Sequence, residues 1–277
     1  MRRHRSIKRI LLIVGGVAVV LFTLFPIYWI AISALRGPEK FFTDALVPWP
    51  TEFSPYYFER IWNSTNFPIY FLNSFLVALV ATAVTIVLST AMAYVLTRFR
   101  FRGSRLILNS MLLGYMLPPM LLAIPLLVLF INLRIDNTLL GLSIAHIAMS
   151  LPFGVWMLVS FFKTIPFDLE EAAWIDGASR LQTITKIILP LVIPGVISVG
   201  VFTFIVSFTD YVFGLMLISS DVNKTVPVGL ATIAESTTLL QGDLLAGATL
   251  IAIPMVVLFS FVTRYFVKGL TAGAVKG

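Results

Sequence analysis

Two histidines, 13 carboxylates and no cysteine are the groups this 277-residue chain offers for chemistry. Without thiols there is no disulfide, no Cys-ligated zinc or iron–sulfur cluster and no thiol nucleophile. His146 stands in an apolar run with no ligand partner nearby in sequence, so it reads as a hydrogen-bonded packing residue rather than a metal or proton site. No Gly-Lys pair occurs, which excludes a phosphate-binding P-loop, and His-Glu-x-x-His and Gly-x-Ser-x-Gly are both missing. The expectation is a chain with no catalytic residue, no metal ligand and no cofactor of its own. Its carboxylates must serve recognition instead.

Four of them fall in one polar stretch, Asp168, Glu170, Glu171 and Asp176, between two long apolar runs. Asp168 with Glu171, and Ser179 with Gln182, have the spacing of capping boxes at helix starts. Gly177 supplies a left-handed turn after the first helix, and Pro190 limits the second because the residue before a proline avoids the α region. The spacing predicts two short helices hinged at Gly177, a helical knob over 164–190.

The elements around the knob are membrane spans. Hydrophobic residues are 58% and charged residues 12% of the chain, against roughly 45–50% and about 25% in soluble domains. Apolar runs predict six transmembrane helices at about 10–35, 69–97, 106–131, 138–162, 189–218 and 244–266, in one transmembrane domain over 1–277. The first run is longer than the roughly 7–15 apolar residues of a signal peptide, so it reads as a retained span. Basic residues set the orientation, because cytoplasmic loops are richer in Lys and Arg. Arg2, Arg3, Arg5, Lys8, Arg9, Arg98, Arg100, Arg102, Arg105, Lys163, Arg180, Lys186, Arg264, Lys268 and Lys276 share one side, and only Arg36, Lys40, Arg60, Arg134 and Lys224 take the other. Both termini and the knob are therefore expected in the cytoplasm, and the net charge of +7 reports loop bias rather than nucleic-acid binding. Under that topology every cytoplasmic carboxylate belongs to the first helix of the knob, a negative projection on a positive face that fits a basic, groove-shaped receptor.

Glu171-Ala172-Ala173, Gly177, Ile187 and Leu189-Pro190 carry a signature of known spacing: Glu-Ala-Ala, three residues, Gly, nine residues, Ile, one residue, Leu-Pro. On these residues, the six spans and the tail Lys268–Gly277, the chain resembles the integral membrane subunits of bacterial ABC importers. It is similar in layout to the carbohydrate-uptake type, such as the smaller membrane subunit of a maltose importer. The resemblance covers essentially the full length and implies the type I permease fold, in a multi-pass protein of a bacterial or archaeal cytoplasmic membrane. It further implies a second permease subunit as heterodimer partner, a dimer of ABC ATPases holding ATP and Mg, and an external solute-binding protein that delivers a sugar or oligosaccharide. By the same resemblance Glu170, Glu171, Ala172, Ala173, Asp176, Gly177, Ala178, Leu189 and Pro190 form the ATPase-coupling segment, with Glu171 the charged anchor unless it is spent on its own helix cap. Leu169 shares the alanine face at helical spacing, and Leu181, Ile184 and Ile188 form a matching apolar stripe.

Asn73, Asp210 and Tyr211 are candidates for the substrate pathway. Asp210 is the one carboxylate placed inside a span, where an ionisable group is functional by default, yet it also reads as a solvated helix end; both readings stay open. Relatives often carry Trp-Asn-Asp or Trp-Asn-Glu where this chain has Phe208-Thr209-Asp210. A small-residue face on the second span, Ser74, Ala78, Thr82, Thr85 and Ser89, predicts helix packing. Prolines at 118, 119 and 125 predict a kinked third span. Trp49, Tyr56, Tyr57 and Trp62 suit a membrane interface or an external partner. Rival classes lack their residues: an ion-coupled transporter needs carboxylates deep in the bundle, and a membrane hydrolase needs a nucleophile and base that cannot be assembled here.

Overall fold

The computed structural model describes the backbone of residues 2–99, 101–235 and 241–274, with side chains over 11–99, 101–235 and 241–260. The basic N-terminal residues, Arg100 and the tail that entered the orientation and resemblance arguments thus lie wholly or in their side chains outside the described residues. Every regular element among the described residues is helical: α1 (Arg2–Ala34), α2 (Tyr56–Ser64), α3 (Phe67–Arg98), α4 (Ser104–Tyr115), α5 (Pro119–Leu133), α6 (Leu139–Phe162), α7 (Asp168–Ile175), α8 (Arg180–Thr183), α9 (Leu189–Phe208), α10 (Val212–Leu217), α11 (Val226–Glu235) and α12 (Gln241–Ala274). A π-helical turn, Ile184–Ile188, joins α8 to α9, and a 3₁₀ turn spans Asp221–Asn223.

Five segments are long and apolar enough to cross a membrane: Leu11–Ala34, Phe67–Arg98, Leu139–Phe162, Arg180–Phe208 and Gln241–Ser260. A sixth exists only if α4 and α5 are one broken span, because they meet at 101°. The kink expected within 106–131 is a full break between two helices. Pro118 is extended (φ −56°, ψ 131°), as a residue ahead of another proline must be, and Pro119 then starts α5 at the position where a missing N–H costs nothing. The fifth span also differs from 189–218. It ends at Phe208, with α10 a separate short helix, and it begins earlier, at Arg180. Pro190 does not stop the second knob helix. Its ring would crowd the Lys186 carbonyl four residues back, and the widened π turn at Ile184–Ile188 lets the helix run past it.

The chain divides into two compact units, Met1–Phe67 with Leu230–Pro254, and Pro68–Gly229 with Met255–Gly277. In the second, Ala93, Val155, Leu158, Phe162, Ile188, Val192 and Val199 form a continuous buried core of α3, α6, α9 and the π turn before α9. Lipid is as apolar as leucine, so such helices associate through close packing of small residues. Ser74, Ala78, Thr85 and Ser89 of α3 are buried as their spacing predicts. A methyl at Gly154 would lie 3.1 Å from Ser89 and Val199, and one at Gly195 would meet the Phe161 ring at 2.7 Å.

In the first unit, α2 buries Tyr57 and Ile61, and the Tyr57 ring packs against Gly242 while Ile61 packs against Gly247. Arg60 stands 3.7 Å from Asp243. Burial, with the Asp243 charge adding to it, pushes the Tyr57 hydroxyl above its usual value of 10.0. Trp49, Tyr56 and Trp62 are exposed as an interfacial role requires, but Tyr57 is a core residue.

Candidate functional site

The knob is built as a capped hairpin. At the end of α7, Ala178 N–H donates to the Ala173 carbonyl at 2.9 Å and Gly177 N–H donates to the Trp174 carbonyl at 3.1 Å, a Schellman closure that requires the left-handed φ of +84° at Gly177. The expected Ser179–Gln182 capping box is formed: Ser179 N–H donates to Gln182 Oε1 at 2.8 Å, and Gln182 N–H donates to Ser179 Oγ at 3.3 Å. The first capping box is not. The cap of α7 is Phe167, with no side-chain hydrogen bond. Asp168, Glu170 and Glu171 instead crowd the first turn, where the helix dipole favours negative charge. Arg180 ties the hairpin together, its guanidinium 5.3 Å from the Trp174 ring and 5.7 Å from Phe99.

The adjacent glutamates have opposite fates. Glu170 is fully buried: Arg98 Nε donates to its Oε1 at 2.5 Å, and the Tyr94 hydroxyl donates to its Oε2 at 2.9 Å. Arg98 also donates from Nη2 to the Ile165 carbonyl at 3.2 Å. Glu170 thus fastens α7 to the end of α3 and is not a surface group. Glu171 is exposed and enters no cap, as are Ala172, Asp176, Gly177 and Pro190. Ala173 is buried, while Ala178 and Leu189 are half-buried. Ile175 (86% exposed) and Leu181 (70%) project furthest. The expected stripe through Leu181, Ile184 and Ile188 is broken, because Ile188 belongs to the core.

The pathway candidates separate as well. Asn73 Nδ2 donates to the carbonyls of Val222 and Lys224 at 2.8 and 2.9 Å, which fixes the loop before α11; Tyr211 is exposed. Asp210 sits at the break between α9 and α10, where its Oδ2 accepts from Gly214 N–H at 3.0 Å and its Oδ1 from Phe213 N–H at 3.4 Å. Its Oδ2 is also 3.2 Å from His146 Nε2, and His146 Nδ1 is 2.6 Å from Ser207 Oγ. His146 is hydrogen-bonded as expected. Asp210 and His146, with Ser150, line a cavity of about 340 Å³ at the break between α4 and α5; neither Asn73 nor Tyr211 does.

The arrangement holds one surface that projects, the knob, and one cavity, lined by His146 and Asp210. Residues 83–273, well over half the chain, match the family described as binding-protein-dependent transport system inner membrane components. The chain belongs to that family. This inner membrane component is thus a multi-pass membrane protein and a transport subunit rather than an enzyme. A trehalose/maltose transport system permease protein, MalG of Thermococcus litoralis, is 35% identical over 277 residues, covering 99% of each chain. An inner membrane ABC transporter permease protein, YcjP of Escherichia coli, is 35% identical over 275 residues, covering 99% of this chain and 98% of its own. A solved bacterial ABC transporter for import of the acidic polysaccharide alginate is 19% identical with a TM-score of 0.79, over 96% of this chain and 98% of that one, so the two share a fold.

Two features of this inner membrane component escaped sequence reasoning. The Glu170–Arg98 pair joins residues far apart in the chain, and Arg98 reads in sequence as one more cytoplasmic charge. The pairing of His146 with Asp210 has no local signal either, although the double proline before α5 marks the place where their cavity opens.

Proposed function

We propose that the chain is the membrane-spanning permease subunit of an ATP-driven, binding-protein-dependent importer of a sugar or oligosaccharide, and that α7 and α8 are its coupling lever. The sugar reading is supported by the full-length likeness to a trehalose/maltose permease and by the fold shared with an alginate importer. In the assembled transporter the chain pairs with a second permease, two ATPase subunits sit beneath them with ATP and Mg, and an external binding protein delivers the solute. The chain crosses the bilayer six times, with α4 and α5 as one broken span and both termini and the knob in the cytoplasm.

The observation that carries the coupling role is the division of labour between Glu170 and Glu171. Glu170 and Arg98 bind the knob to α3, and the π turn makes α8 continuous with α9. Force applied to the knob is delivered to two spans at once. The outward side presents Glu171, Ala172, Ile175, Asp176, Gly177 and Leu181, an acidic and apolar surface that a basic cleft can close on. ATP binding closes the ATPases and draws the knobs together, the spans open outward, and hydrolysis resets them. Ala178, Leu189 and Pro190 shape the exit from the hinge rather than the contact.

Glu171→Lys tests this. The variant is expected to reach the membrane and assemble, yet to lose both sugar uptake and stimulation of the ATPase by the loaded binding protein. Normal uptake by the variant refutes the docking role.

A further inference from the structure

The cavity between α4, α5, α6 and α9 has a chemistry of its own. Its wall combines aromatic faces, Tyr115, Phe202 and Phe213, with three polar side chains, His146, Ser150 and Asp210. His146 is 4% and Ser150 2% exposed. Among the described residues Ser150 Oγ and His146 Nε2 are buried without a hydrogen-bond partner, the latter standing 3.2 Å from Asp210 Oδ2. A buried polar atom left unmatched is costly, so native proteins keep such atoms where something else satisfies them. Asp210 is held in place by the α10 amides, with its side chain 14% exposed.

We propose that this cavity is a sugar-binding subsite contributed by this subunit, in which one neutral pyranose-sized ring is gripped during passage; the inference rests on the sugar-importer reading above. A sugar offers hydroxyls that both donate and accept, and C–H faces that pack on aromatic rings. The wall answers both: the Asp210 carboxylate accepts, the Ser150 hydroxyl and His146 imidazole donate or accept, and Tyr115 and Phe202 supply faces. An anionic solute finds no fixed cation here. A metal finds no group of three His, Cys, Asp or Glu among the described residues. About 340 Å³ lies at the lower end of the roughly 300–1,000 Å³ of small-molecule sites, which suits one ring of a longer chain. The cavity lies where α4 breaks from α5 and α9 from α10, so irregular backbone there lines a cavity, the setting in which membrane proteins tolerate it.

The test uses the whole importer with its binding protein in proteoliposomes and labelled glucose, maltose and trehalose. The chain has no cysteine, so Ser150→Cys places a single thiol in the cavity, and its labelling by a small maleimide is followed with and without each sugar under ATP turnover. Ser150→Leu fills the cavity, and His146→Gln keeps its size while changing its donors. The transported sugar is expected to slow labelling of the introduced thiol, and both other variants to lower uptake at least about tenfold, the worth of one good hydrogen bond to a ligand. ATPase stimulation by the loaded binding protein is expected to persist, unlike in Glu171→Lys. Unchanged uptake in Ser150→Leu, no protection of the thiol by a sugar the wild type carries, or loss of ATPase stimulation together with uptake each overturns the subsite. If the wild-type complex carries none of the sugars its binding protein retains, the importer reading fails first and the subsite falls with it.

Discussion

Replacing Glu170 by alanine removes the acceptor for both Arg98 and the Tyr94 hydroxyl. Arg98 has a side chain only 8% exposed, so it stays buried and unpaired. Deleting one partner of a buried ion pair costs about 3–5 kcal/mol. At about 1.4 kcal/mol per factor of ten, a cost borne wholly by local release of α7 raises the opened fraction of the knob by roughly two to three and a half orders of magnitude. Trypsin cleavage at Arg180 and Lys186 in inside-out vesicles reads that opening. Glu170→Ala should be cleaved far faster than wild type, whereas Glu171→Ala, an exposed change, should be cleaved at the wild-type rate while still losing coupling. The double variant Glu170→Met, Arg98→Met should recover most of the protection, since an apolar pair of similar volume replaces the charges. Equal protease resistance in Glu170→Ala and wild type refutes the assignment of Glu170 as the fastening of the knob.

Further outcomes follow from single positions. Gly177→Ala meets no atom within 4 Å, so its cost is the left-handed backbone alone, about 1–2 kcal/mol; Gly177→Asn should be milder, and melting of the solubilised complex ranks the two. Gly195→Val forces a side chain into the Phe161 ring and should sharply cut the yield of folded protein in size-exclusion profiles, with Gly195→Ala intermediate. Asn73→Ala strands two loop carbonyls and should lower stability by about 1–3 kcal/mol, seen as a lower melting temperature. Sugar selectivity should not change, and a shift in selectivity would return Asn73 to the pathway.

What the sequence disclosed depended on how local the signal was. The Gly177 turn and the Ser179–Gln182 box were legible because each is set by residues within a few positions of one another. The membrane class, and the position of α1, α3 and α6, followed from runs of apolar residues. Two spans differ from their expected bounds at their breaks. Apolar composition continues through Met116–Pro118, where the prolines mark a kink but not its 101° size, and the polar residues Thr209–Tyr211 mark a helix end without showing that a separate short helix follows. Asp168 and Glu171 mimic a capping box, but the dipole and the buried salt bridge of Glu170 decide that turn instead. Tyr57 carries an interfacial residue type, yet its place on the inner face of α2 sends it into the core. Pairings such as His146 with Asp210 leave no trace along the chain, because tertiary folding alone brings them together.

The central claim is that the knob docks on an ATPase, and its most direct test is photocross-linking from position 175, the most exposed apolar residue of the knob at 86%. A photoreactive residue is placed there, and in a control at the core position Ile188, within membranes containing the assembled transporter. The account predicts an adduct with the ATPase subunit from position 175, modulated by ATP, and none from position 188. Efficient sugar uptake by the complex with no ATPase adduct from position 175 would contradict it.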